Sequence, residues 1–148
     1  HSFPTRRSSD LKCRHILNST YQKNIFYPMG LEVIKYNGQQ VLYVNYAVCN
    51  DQREMLDLLH QAAKYYQNHP SDQIKILSDF TDAYASLEFM TQLKQYGKDL
   101  GTKTNRAAVI GIDGLKEILL KGYNMVAKKP TRPFRNKIQA LTYLTSVR

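Results

Sequence analysis

Tryptophan is absent from the 148 residues, cysteine occurs twice, glycine seven times and proline five. Two cysteines, Cys13 and Cys49, cannot build a disulfide framework, and no Cys/His spacing reads as a zinc site. A reduced, cytoplasmic chain without a metal or cofactor is therefore expected. Long apolar runs are missing too. Nothing approaches the roughly 18 consecutive apolar residues of a membrane-spanning helix. Arg6 and Arg7 imitate the basic start of a secretory signal, but no apolar segment follows, so none is read. Without that context the Asn18-Ser19-Thr20 sequon carries no weight. Acidic residues are few: 12 Asp+Glu against 21 Lys+Arg give a net charge of +9. Five of the basic residues and one of the acidic ones fall within residues 1–28, which leaves +5 on the rest. The body is mildly basic, without the dense positive charge of a nucleic-acid binder, and no nucleic-acid partner is expected.

What is present is a foldable chain. Hydrophobic residues make up 43%, charged residues 22%, and eleven tyrosines supply apolar bodies with polar tips. The length allows one domain with a core of its own.

Residues 1–28 stand apart. His1 to Leu11 has no apolar period, several breakers, and resembles a translated sequencing-adapter remnant. The expectation is an artefactual or disordered extension over residues 1–28 and a single domain over residues 29–148. Ile25, Phe26 and Tyr27 are the residues in it able to dock on the body.

From Met29 the pattern alternates. Leu31–Tyr36 reads as a strand, Asn37-Gly38 as a hairpin turn, and Val41–Val48 as the returning strand, with Val41 and Tyr43 on one face and Leu42 and Val44 on the other. Asp51 and Glu54 have capping-box spacing ahead of a helix carrying Met55, Leu58, Leu59, Ala62 and Tyr66. That helix should stop before Pro70. Ile74–Leu77 is a short buried strand, and Ser78–Asp82 a loop. Ser86 caps a second helix with Phe89, Met90, Leu93, Tyr96 and Leu100 inward and Gly101 as its stop. Ala107–Ile112 reads as another buried strand. Asp113 then caps a third helix with Leu115, Ile118, Leu119, Tyr123 and Val126 inward. An edge strand around Pro133-Phe134 and a last helix capped by Asn136, lined by Ile138, Leu141 and Leu144, complete the order. The fold class implied is α/β: a mixed, mostly parallel sheet, opened by a β-hairpin and covered on both sides by about four helices.

The chemistry is sparse. No phosphate-cradling loop follows a strand. Gly111-Ile112-Asp113-Gly114 joins a strand to a helix start, where anions can bind, but Asp113 would repel one. A phospho-receiver site needs an acidic pair after the first strand, and Tyr36-Asn37 and Cys49-Asn50 supply none. Asp79 and Asp82 could act as an acid–base pair, yet no histidine stands near them in sequence. His1, His15, His60 and His69 are scattered, and nothing near Cys49 would lower its pKa. No triad emerges, so catalysis is not expected. Lys128, Lys129, Arg132, Arg135 and Lys137 form a basic run punctuated by Pro130 and Pro133. Either it is a solvated loop favourable to the preceding helix dipole, or Lys128, Lys129, Arg132 and Arg135 meet an acidic protein or an anionic lipid surface.

Three stretches carry a family resemblance: Ile76-Leu77-Ser78-Asp79-Phe80-Thr81, Arg106-Ala107-Ala108-Val109-Ile110-Gly111, and Lys137-Ile138-Gln139-Ala140-Leu141-Thr142-Tyr143-Leu144. With the element order they make residues 29–148 resemble the STAS superfamily, the domains of bacterial anti-sigma-factor antagonists and of anion-transporter tails. The short stand-alone SpoIIAA-like group, also classed with lipid-transfer sequences, is the most similar. The resemblance implies a bacterial, cytoplasmic, regulatory module that binds a protein partner through the surface carrying Asp79, Thr81, Asp82 and Ser86. Its lipid-transfer side implies, alternatively, a small apolar or lipid ligand. Antagonists carry an Asp-Ser-Ser-Gly-like turn with a phosphorylated serine. Asp82-Ala83-Tyr84-Ala85-Ser86-Leu87 departs from it, so the phospho-switch is not expected and Ser86 reads as a helix cap.

Overall fold

The computed structural model describes residues 27–147. The expectations for residues 1–26 lie outside the described residues. Tyr27 docks on the body: its ring lies 6.3 Å from that of Tyr65, and the Pro28 carbonyl accepts the Leu31 N–H at 3.0 Å.

The chain forms a five-stranded sheet in the order β1-β2-β3-β4-β5. Strand β1 (Leu31–Tyr36) pairs antiparallel with β2 (Gln39–Asn45) through a turn in which Asn37 and Gly38 hold φ of +51° and +76°. Both turn residues thus adopt the left-handed geometry that a two-residue hairpin requires. The strands β3 (Ile74–Asp79), β4 (Thr104–Ile110) and β5 (Thr131–Phe134) continue in parallel. Between them run α1 (Gln52–Asn68), α2 (Leu87–Leu100) and α3 (Leu115–Val126), and α4 (Lys137–Thr145) follows β5. Each β-α-β step advances one strand in the same direction. Crossovers of a common hand then place α1, α2 and α3 on one face of the sheet. The fourth helix returns across the other.

Strand alternation sorts the core accordingly. Leu42, Val44 and Ile74 face α1 and α2 with Met55, Leu58, Leu59 and Phe89. Val41, Tyr43, Leu77, Ala108 and Ile110 face α4 and its Ala140, Leu141 and Leu144. Local signals start the helices. The Asp51 carboxylate accepts the Glu54 N–H at 2.9 Å, Ser86 Oγ that of Phe89 at 3.0 Å, and Asn136 Oδ1 that of Gln139 at 2.9 Å. Caps of this kind are each worth about 1 kcal/mol.

Four expectations need correction. Strand β2 stops at Asn45, whose side chain accepts the Ala47 N–H at 3.0 Å and folds Tyr46–Val48 into a turn of 3-10 helix. Strand β3 extends through Ser78 and Asp79, because both find partners in Val109 and Ile110 of β4. Strand β4 ends at Ile110, since Gly111 turns at φ +82° and packs against the Thr81 backbone, where a Cβ would overlap. The third helix has Gly114 at its N-cap in place of Asp113, and its inward stripe is Lys116, Leu119, Leu120 and Tyr123. Leu115, Ile118 and Val126 point outward, the first two 68% and 65% exposed. Ile138 of α4 is likewise outward.

Candidate functional site

The residues singled out by sequence fall into two sets. Asp79 ends β3 with its side chain toward the α4 face, 8% exposed. Its carboxylate accepts from Tyr43 Oη at 2.7 Å, Thr81 Oγ1 at 2.7 Å and the Thr81 N–H at 3.0 Å. Asp79 and Thr81 therefore staple the strand to the loop behind it. Burial first, then the Asp79 hydrogen bond and charge, push the Tyr43 phenol well up from its ordinary value. Asp82 stays exposed in the left-handed region at φ +58°, so the structure does not pair it with Asp79. Ser86 caps α2, and its N–H donates to Gln52 Oε1 at 3.0 Å while Gln52 Nε2 donates to the Tyr84 carbonyl at 2.5 Å. What this loop offers outward is Asp82, Tyr84 at 70% exposure and Leu87 at 83%.

The basic run is divided by edge strand β5. Arg132 lies over the Tyr143 ring at 4.8 Å and Lys137 over the Tyr43 ring at 4.1 Å, both on the α4 side. Lys128 and Lys129 stand on the opposite side, against α2 and the space beneath it. Arg135 is exposed beyond β5.

That space is the feature sequence reasoning missed. A cavity of about 150 Å³ lies between the sheet and α1, α2 and α3. Its cause is small side chains where larger ones would close the gap: Ala62 and Ala63 on α1 and Ala107 on β4. The third helix packs against α2 and touches the sheet little. The wall follows β4 from Thr104 to Val109, roughly 17 Å at about 3.3 Å per residue.

No protein-family model, curated protein or solved structure significantly matches this chain.

The chemistry of the cavity is apolar with a few polar tips. Lys116 closes one end. Its Nζ donates to the Phe80 and Gly111 carbonyls, both at 2.9 Å, and lies 3.9 Å from the Asp113 carboxylate. It thereby ties the loop after β3 to the loop after β4. Tyr66 Oη shares a hydrogen bond with Thr104 Oγ1 at 2.8 Å. Tyr46 is 3% exposed, stacked on Phe80 with ring centroids 4.7 Å apart. Among the described residues neither its hydroxyl nor that of Tyr123 has a hydrogen-bond partner. A buried hydroxyl left so costs about 1–3 kcal/mol. Burial raises the pKa of all three phenols, and all three line the one cavity. The charged residues on the wall are Lys116, Lys128 and Lys129; no carboxylate is among them.

Among the described residues no cluster of His, Cys, Asp and Glu could hold a metal. His60 is half-buried, its Nδ1 2.6 Å from Tyr96 Oη, a contact between α1 and α2. Burial, and then the carboxylates of Glu54, Asp51 and Asp57, push the Cys49 thiol up rather than down. No helix among the described residues is long and apolar enough to cross a membrane. The sequence signal that could have found the inward face of α3 is Lys116 at helical spacing with Leu119, Leu120 and Tyr123.

Proposed function

We propose that this domain is a non-catalytic binding module that takes up a small, largely apolar molecule between its sheet and α1, α2 and α3. The observation that carries this reading is the cavity of about 150 Å³ with two phenols on its wall, buried Tyr46 and half-buried Tyr123, that lack partners among the described residues. An apolar cavity of about that size is enough to hold a benzene-sized guest. The hairpin-first order of the sheet supports a STAS-type regulatory role, in which occupancy of the cavity is the signal. Native mass spectrometry of the full chain, beside Ala107→Leu, tests the reading. The expected result is uptake of small apolar molecules by the natural chain and none by the variant. A chain that takes up no member of an alcohol, acid and arene panel, and melts unchanged with each, overturns it.

A second reading, a protein-interaction surface on the loop from Asp79 to Ser86, rests on a different observation. Tyr84 and Leu87 are large, outward and adjacent to Asp82. Loss of a captured protein on Tyr84→Ala and Leu87→Ala, with the cavity variants still binding it, favours that reading.

A further inference from the structure

Resting on the cavity reading, we propose that the ligand is a small amphiphile with one anionic group, such as a short-chain carboxylate. Its charged end sits at Lys128, Lys129 and Tyr123, and its apolar body lies along β4 toward Tyr46. Three observations locate the head. First, every charged side chain on the wall is a lysine. A neutral apolar guest needs none of them, whereas an acid would use them. Second, the lysines are not equivalent. Lys116 already donates to two backbone carbonyls. Lys128 and Lys129 have no salt-bridge partner among the described residues and reach solvent at the other end of the wall. Third, α2 brings a hydroxyl beside them. A Cβ on Gly97 would meet Tyr123 Oη at 2.8 Å, and one on Gly101 would meet Lys128 Cβ at 3.3 Å. Gly97 lies in the last turn of α2 and Gly101 just past its end, about 6 Å further along the axis. The Tyr123 hydroxyl and the Lys128 stem therefore lie near each other at that end of the helix. The flexible lysine stem lets an ammonium join the O–H donor on one carboxylate, and charge-assisted hydrogen bonds are the stronger kind. From there β4 leads the apolar body over Ala107 and Val109 toward Tyr46 and Phe80.

Titration calorimetry of the full chain with hexanoate, hexanol and phosphatidylglycerol vesicles tests this. The expected result is that hexanoate binds at least tenfold tighter than hexanol at low salt, and that added salt narrows the gap. Lys128→Gln with Lys129→Gln should reduce hexanoate affinity about tenfold and leave hexanol unchanged, and Tyr123→Phe should act in the same direction. Circular dichroism melts of both variants check that they fold. Equal binding of hexanoate and hexanol, unmoved by the lysine changes, overturns the anionic head while leaving the cavity reading intact. Binding of neither overturns both. Vesicle binding that depends on the lysines, without hexanoate binding, assigns them to a membrane surface and also overturns the proposal.

Discussion

One helix of nine residues closes one face of the sheet, and three longer helices close the other. Under α4, Ala140 and Leu144 are fully buried on Val41, Leu77 and Ala108, all at 0% exposure. Under α1, α2 and α3 lies the cavity. The larger cover is the looser one. Packing follows the fit of facing side chains and not the amount of helix laid down. Ala107 and Ala108 show the contrast at a distance of one residue: Ala108 points into the filled side, Ala107 into the open one. A side that is filled holds the fold, and a side that is not can hold something else.

The sharpest way to break this contrast is Leu144→Ala on the filled side. A loss of about 2–5 kcal/mol is expected, read from urea unfolding. A loss below about 1 kcal/mol would mean that α4 is the loose cover. Alkali should act on both sides, through Tyr46, Tyr66 and Tyr123 on the open one and Tyr43 on the filled one, all with raised pKa values of which burial is the first cause. Unfolded tyrosines ionise near pH 10, so stability is intact below that and falls as pH rises. Each such phenol contributes about 1.4 kcal/mol per pH unit until its folded pKa is reached. Tyr46→Phe should make the fall measurably shallower in denaturant melts at high pH. Paired insertions come next. Ala108→Leu should cost about 1–3 kcal/mol by overpacking, while Ala107→Leu should stay within about 1 kcal/mol of the natural chain. Equal costs would abolish the distinction between the faces. The smallest effect is that of Ser86→Ala, about 1 kcal/mol from the lost cap, with ligand uptake unchanged.

Much of the architecture was legible because its signals are local. Asn37-Gly38, Asp51, Ser86 and Asn136 each act within three or four residues, and each sits where the pattern put it. The errors arose where a distant partner decides. Whether Ser78 and Asp79 are strand or loop depends on Val109 and Ile110, some thirty residues on. Asn45 ends β2 because its side chain caps a turn, although the alternation of apolar residues runs on past it. The phase of α3 was misread because an apolar template passes over Lys116, whose ammonium finds two carbonyls at strand ends brought together by the sheet. Asp79 was read as surface, yet Tyr43 reaches it from the neighbouring strand. The cavity is the least legible feature of all. It is a shortfall of volume shared among Ala62, Ala63 and Ala107, which no single segment contains.

The hairpin turn has a consequence for how the chain acquires its shape. Asn37 Nδ2 donates to Thr145 Oγ1 at 3.2 Å, and Gln39 Nε2 donates to the Thr145 carbonyl at 2.8 Å, across 108 and 106 residues of sequence. This early turn is thus clasped by the end of a helix made after all five strands. Until α4 emerges from the ribosome, Val41, Leu77 and Ala108 form a bare apolar stripe on an otherwise complete sheet. Contacts of such long sequence separation form slowly, and exposed stripes of this kind invite association between nascent chains. The interval between β5 and α4 is then the vulnerable moment in biosynthesis, and the clasp at Thr145 is the event that ends it.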